Sequence, residues 1–205
     1  MSDFEVALRE HQDVFNGLVV LKPALHRAAL ICAESIKSGG KIMFCGNGGS
    51  AADAQHLAAE LVGRLVDDRP SIAGLALTTD SSALTCIAND YSFEEVFARQ
   101  VEGLGRPCDV LVGISTSGNS INVLNAVKAA DRLGMRTIGF LGRDGGRIVN
   151  AVEIPFVVSS ATTARIQEAH IFLGHMLCGL IEDFGMADSF SGGATSLALN
   201  EADTE

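Results

Sequence analysis

The sequence predicts an α/β domain in which a parallel sheet is covered by helices on both faces. Short, continuously apolar stretches alternate along the chain with longer stretches of helical periodicity, the pattern of strands buried on both sides and joined by crossover helices. Two of the apolar stretches run straight into polar turns that open helices, Cys45-Gly-Asn-Gly-Gly-Ser50 and Ser115-Thr-Ser-Gly-Asn-Ser120. The chain has 205 residues, 47% of them hydrophobic, enough to bury one core without staples. No internal repeat or change of composition divides it. A single domain over 1–186 is expected, followed by a weakly ordered tail over 187–205, where Ser, Gly and acidic residues collect.

Residues 3–21 read as a first helix, with Ser2 and Glu5 in capping-box spacing, broken at Pro23. A second helix starts there, since proline is tolerated in a first turn, and carries Leu25, Ala28, Ala29 and Cys32 to a stop at Gly39-Gly40. Two helices before the first strand exceed a minimal α/β unit, so the extra N-terminal helix suggests assembly. The first strand spans 41–45. The helix after it, opened by Ser50 and Asp53 as a capping box, places Ala54, Leu57, Ala58, Leu61 and Leu65 on one stripe and Asp53, His56 and Glu60 on the opposite side. Strand 72–78 follows, then helices over 81–88 and 93–103 separated by Asn89-Asp90. Strand 110–114 leads through the serine turn into a helix with Val123, Leu124, Val127 and Ala130. Strands 137–141 and 152–158 complete the sheet, Pro155 marking the last as an edge. A final helix over 163–186 has a stripe of Ile166, Ala169, Leu173, Met176, Leu177, Leu180 and Phe184, with Ile171 and Cys178 on the other side. Apolar residues on both sides predict contact with another subunit.

The net charge of −10 and pI of 4.9 speak against nucleic acid and anionic membrane as partners, either of which calls for a basic face. Five cysteines without a CxxC pair suit reduced, buried thiols. No basic-then-apolar leader and no apolar run near a membrane span is legible, so a soluble, cytoplasmic protein is expected.

Both polar turns suit an anion. Gly46, Gly48 and Gly49 let the backbone turn sharply and a ligand approach it; in the serine turn, hydroxyls beside free helix N–H groups can surround a phosphate without lysine, or serve only as an ordinary capped strand-to-helix turn, five polar side chains favouring the phosphate. His56 and Glu60, four apart, converge on one point. Such a pair suits metal ligation, proton transfer, or nothing more than a solvated helix face. On the last helix His175 lies opposite the stripe, Gln167 beside it, and His170 near its edge, as a packed or hydrogen-bonded histidine. Gln167 and His175 stand about 12 Å apart on an ideal helix, so sharing one ion requires both to reach inward or the helix to bend near Gly174. Gly46-x-Gly48-x-x-Ala51 also fits a loose dinucleotide fingerprint, but the acid expected about 20 residues on is poorly provided: Asp67 and Asp68 fall in a loop and Asp80 comes late.

Taken together, Cys45 through Arg64, Ala88-Asn-Asp90, Gly113 through Ser120, and Arg165-Ile-Gln-Glu-Ala-His170 through His175 resemble the phosphoheptose isomerases of the sugar isomerase (SIS) superfamily, over about residues 3–185. The resemblance implies a flavodoxin-like three-layer sandwich with a five-stranded parallel sheet and a homotetramer with sites between subunits. It implies conversion of sedoheptulose 7-phosphate to D-glycero-D-manno-heptose 7-phosphate by acid–base enediol chemistry, for bacterial surface heptose. By motif, His56, Glu60, Gln167 and His175 correspond to zinc ligands, with Glu60 and His175 also the catalytic base and acid. Asn47, Gly48, Gly49, Glu60, Asn89, Asp90, Ser115, Thr116, Ser117, Ser120 and Gln167 correspond to substrate contacts. A non-catalytic tetramer of the same superfamily that binds the bacterial replication initiator is the alternative. The presence of Glu60 and His175 favours the enzyme.

Overall fold

A computed structural model describes residues 3–191, with side chains through Phe184. Helix α1 (Phe4–Gly17) passes through a 3₁₀ turn (Leu18–Leu21) into α2 (Lys22–Lys37), followed by β1 (Ile42–Gly46), α3 (Gly49–Val62), β2 (Gly74–Ala76), α4 (Ser81–Asp90) and α5 (Ala98–Leu104). The second half runs β3 (Val110–Ser115), α6 (Ile121–Arg132), β4 (Arg136–Gly142), β5 (Ile154–Val158) and α7 (Thr163–Ser191). All strand pairs are parallel, in the order β2-β1-β3-β4-β5. The order reverses between β1 and β3, and the crevice beyond their carboxyl ends is where open α/β sheets bind ligands.

Alternation along the strands splits the core. Ile42, Phe44, Val112, Ile138 and Phe156 face α2, α3 and α7, while Met43, Cys45, Leu111 and Leu141 face α5 and α6. The three central strands are buried along almost their whole length, which is why they read as continuous apolar runs. Edge strand β2 is shorter than the apolar stretch 72–78 suggests, because only three residues find a partner on β1.

Several sequence expectations are corrected. Asp3, not Ser2, caps α1, accepting from the backbone N–H groups of Glu5 and Val6; Ser2 lies outside the described residues. Ser50 does not cap α3: Gly48, with φ of 56°, holds the cap position without a side-chain hydrogen bond. Asn89 and Asp90 form the last turn of α4 rather than a break. Helix α7 continues to Ser191, so the expected boundary at residue 186 falls within it; residues 192–205 of the expected tail lie outside the described residues. Cys178 is buried against α3 in its own chain, whereas Met176 of the expected core stripe is 42% exposed. Cys86 is likewise exposed.

No apolar run stood out in the sequence, yet Phe4–Lys37 forms one helical segment long and apolar enough to cross a membrane, with a window of mean hydropathy 1.3. Its α2 half instead buries Ala28, Ala29 and Cys32 in the core. Its α1 half docks on α7, where His11 Nδ1 meets Glu168 Oε2 at 2.8 Å and Phe15 packs on Phe172.

Candidate functional site

The switch-point crevice is lined by both polar turns. At the end of β3, Ser115 is buried, and its Oγ lies 2.9 Å from Ser120 Oγ and 3.5 Å from Ser117 Oγ. Ser120 occupies the cap position of α6, yet its hydroxyl makes no cap bond because Ser115 engages it. Both α3 and α6 therefore begin without a side-chain cap, and helix starts of this kind favour anions. Thr116 and Ser117 are half-buried in the same turn.

Asn47 and Asn122 join the two turns. Asn47 Nδ2 donates to Asn122 Oδ1 at 2.9 Å, and Asn122 Nδ2 donates back to Asn47 Oδ1 at 2.8 Å. Asn122 Oδ1 also accepts from the Val123 backbone N–H at 3.0 Å. Sequence reasoning missed Asn122. The available signal was an amide side chain in the first turn of a helix leaving a polar loop, which the structure buries.

The second group lies where α3 meets α7. His56 Nε2 stands 2.9 Å from His175 Nε2 and 3.1 Å from Glu60 Oε1. One donor atom from each of the three residues lies within 4.8 Å of the others. Tetrahedral zinc with bonds of about 2.0–2.1 Å separates neighbouring donors by roughly 3.3 Å. Two imidazoles and a carboxylate gathered this closely are a donor set that suits a zinc-type ion, the His56 contacts lying within a few tenths of an ångström of that spacing. The three residues come together within one chain.

Gln167 lies at the start of α3. Its half-buried amide sits against Gly49, where a Cβ would collide with it, and the seven residues from Gly49 to His56 cover about 10 Å of helix. Asn89 and Asp90 are exposed at the end of α4, with Asn89 Nδ2 donating to Asp90 Oδ1 at 2.8 Å. That bond holds the Asp90 carboxyl below its ordinary range.

Two further ionisable groups frame the site. Asp53, one turn before His56, keeps Oδ2 buried without a hydrogen-bond partner among the described residues. Burial pushes its carboxyl up to about 6, with His56 opposing the shift. His170 is buried on α7 beside Phe140, and neither ring nitrogen has a partner among the described residues. Burial holds its imidazole down at about 4, with the Leu141 backbone acting weakly in the other direction. It is a packed histidine whose polar neighbour is the Leu141 backbone.

A family model described as the SIS domain matches residues 11–142. A phosphoheptose isomerase of a Nitratiruptor species is 54% identical over 184 residues, covering 89% of this chain and 98% of the relative. Another, from Desulfovibrio desulfuricans, is 59% identical over 158 residues, covering 77% and 75%. The solved structure of a phosphoheptose isomerase from Neisseria gonorrhoeae superposes with a TM-score of 0.83 at 46% identity, covering 87% of this chain and 96% of that one.

Proposed function

Because the chain belongs to the SIS domain family and within it to the phosphoheptose isomerases, enzymes that act on sugar phosphates, we propose that it interconverts sedoheptulose 7-phosphate and D-glycero-D-manno-heptose 7-phosphate. The observation that carries this reading is the convergence of His56, Glu60 and His175 on one point in a chain whose helix starts suit a phosphate. The two regions lie along one helix, with the uncapped start of α3 at one end and Glu60 toward the other. An extended sugar phosphate fits that layout, phosphate at the turns and carbonyl end at the triad.

Ser115, Thr116, Ser117 and Ser120, with the Asn47, Gly48 and Gly49 backbone and the Gln167 amide, hold the phosphate end. Asn89 and Asp90 meet the sugar across a subunit boundary in a homotetramer. Exposed Val19, Val20, Phe172 and Met176 support such an assembly, since apolar groups of this size favour cover. Glu60 removes a proton from the carbon beside the ketose carbonyl and returns it to the former carbonyl carbon. His175 donates a proton to the carbonyl oxygen as it gains charge, then recovers one from the neighbouring hydroxyl, so the overall change is a 1,2-shift of hydrogen. His56 orients Glu60 through their 3.1 Å contact. Zinc, held by His56, Glu60 and His175, supplies Lewis-acid stabilisation of the developing oxyanion when bound. The product feeds bacterial surface heptose synthesis, and the protein works in the cytoplasm.

Incubation with sedoheptulose 7-phosphate, followed by detection of an aldose 7-phosphate, tests the assignment, with other ketose phosphates as controls. Turnover of a different ketose phosphate in preference to the heptulose would displace it.

A further inference from the structure

Helices α3 and α7 run parallel in a fixed register. The sequence offset is 118 at the Gly49–Gln167 contact and 117 at Leu57–Gly174. It is 119 between His56 and His175, and 117 between Leu65 and Glu182. The last of these contacts is built around a buried ion pair that sequence reasoning missed. Arg69, in the loop after α3, has a side chain 3% exposed, and Glu182 on α7 one 7% exposed.

Every arm of the Arg69 guanidinium is engaged. Nε donates to Glu182 Oε1 at 2.7 Å, Nη2 to the Glu60 carbonyl at 2.8 Å, and Nη1 to the carbonyls of Leu61 at 2.9 Å and Pro70 at 3.0 Å. Glu182 Oε1 also accepts from the Leu65 backbone N–H at 3.1 Å. A planar cation thus collects the Glu60 and Leu61 carbonyls at the end of α3, the second shared with the Ile72 backbone N–H, and ties them to one carboxylate of α7. One of those carbonyls belongs to Glu60 itself, and Glu182 lies two turns beyond His175 on α7.

We infer that Arg69 and Glu182 are positioning residues for the isomerase site: their ion pair fixes the axial register of α3 against α7 and thereby the spacing of His56 and Glu60 from His175. The inference rests on the reading of those three residues as the metal-holding and acid–base group. A slip of one helical turn is about 5.4 Å, whereas metal ligands tolerate errors of about 0.2 Å. Neither Arg69 nor Glu182 touches the three side chains' donor atoms, so the effect passes through the helix backbone.

The test measures cobalt(II) binding by visible absorption, together with kcat and KM. Arg69→Met alone strands a buried carboxylate, so the main variant is Arg69→Met with Glu182→Met, since buried ion pairs are often replaceable by apolar residues without loss of folding. Arg69→Lys is the second variant, keeping the charge opposite Glu182 but losing the planar fan of donors. Both are expected to retain wild-type circular dichroism and KM, because the phosphate turns are untouched. Cobalt affinity and kcat should fall at least tenfold, the range seen when groups supporting metal ligands are removed. Folded variants with cobalt spectrum, affinity and kcat within twofold of wild type would overturn the positioning role. His175→Ala serves as the control: if it leaves cobalt binding and kcat unchanged, the reading of the site fails first, and the positioning role fails with it.

Discussion

Gly174→Ala should damage the site more than the fold. Gly174 on α7 sits directly over Leu57 of α3, and a Cβ there would lie 2.5 and 2.7 Å from the two Leu57 Cδ atoms. Carbon atoms pack at about 3.5–4.0 Å, so either the helices separate by on the order of 1 Å or Leu57 leaves its rotamer. Overpacking of this kind costs about 1–3 kcal/mol, while alanine gains about 0.8–1 kcal/mol over glycine within a helix. The net loss of about 0–2 kcal/mol is small against a domain stability of roughly 5–15 kcal/mol. The protein should therefore stay folded, with a slightly lower urea midpoint. His56 and His175, one residue from this contact on either helix with Nε2 atoms 2.9 Å apart, would be spread toward about 3.9 Å, past the roughly 3.3 Å that neighbouring zinc ligands keep. Cobalt(II) affinity and turnover should fall at least tenfold, and Leu57→Val in the same chain, which removes both Cδ atoms, should restore much of each. A Gly174→Ala protein with unchanged cobalt spectrum and turnover would show that Leu57 yields instead, and that close helix approach does not set the spacing.

Glu60→Gln keeps size and hydrogen bonding but removes the base. Turnover should drop at least ~100-fold while calorimetry still detects substrate, and any exchange of substrate hydrogen with deuterated solvent should vanish; near-normal turnover would move the base to His175. Ser117→Ala with Ser120→Ala removes two ligand hydrogen bonds worth about 0.5–1.5 kcal/mol each, so substrate affinity should weaken about tenfold with the fold intact, and unchanged affinity would refute the phosphate assignment. His170 sets a pH dependence. Its folded value of about 4 lies below the ordinary 6.5, so the unfolded chain binds more protons between them. Its stabilising contribution is complete above pH 6.5 and is lost as pH falls toward 4, by about 3 kcal/mol at 1.36 kcal/mol per unit. Asp53, raised to about 6, acts in the opposite sense, since the folded chain then binds the extra proton. The informative quantity is therefore the difference between wild type and His170→Leu in urea unfolding at pH 7 and 4.5; equal pH slopes would refute it.

The sheet was legible because its central strands are buried on both faces, so Ile42–Cys45 and Val110–Ile114 read as uninterrupted apolar runs. The His56–Glu60 pair was legible because its spacing is local. What escaped depends on distant partners. Arg69 stands in the sequence beside Asp67 and Asp68 and reads as one more solvated charge; its burial requires Glu182, 113 residues away. Gly174 reads as a weak point in a helix until Leu57 is known to fill its space. Ser50 carries a capping signature that local rules honour, but the positive φ of Gly48 lets the helix begin at Gly49, which leaves Ser50 in its first turn rather than at the cap. The cap of α1 was ambiguous in the sequence because Ser and Asp in adjacent positions are near-equal caps; Asp3 accepts from the Glu5 and Val6 N–H groups.

The reciprocal amides of Asn47 and Asn122 have a polarity that neither side chain chooses. The Val123 main-chain N–H cannot rotate, so it compels the Asn122 oxygen to face it, and this in turn dictates which end of Asn47 is nitrogen. An amide carries two N–H groups and two lone pairs, and this pairing uses one of each on Asn47. Its remaining N–H therefore leaves the pair in a direction written by the peptide backbone. A ligand oxygen arriving at the turn meets a donor already set, with no flip to wait for and no rotamer entropy to surrender. An arriving ammonium finds no such welcome from that N–H, so the turn distinguishes acceptor from donor before any hydroxyl has rotated.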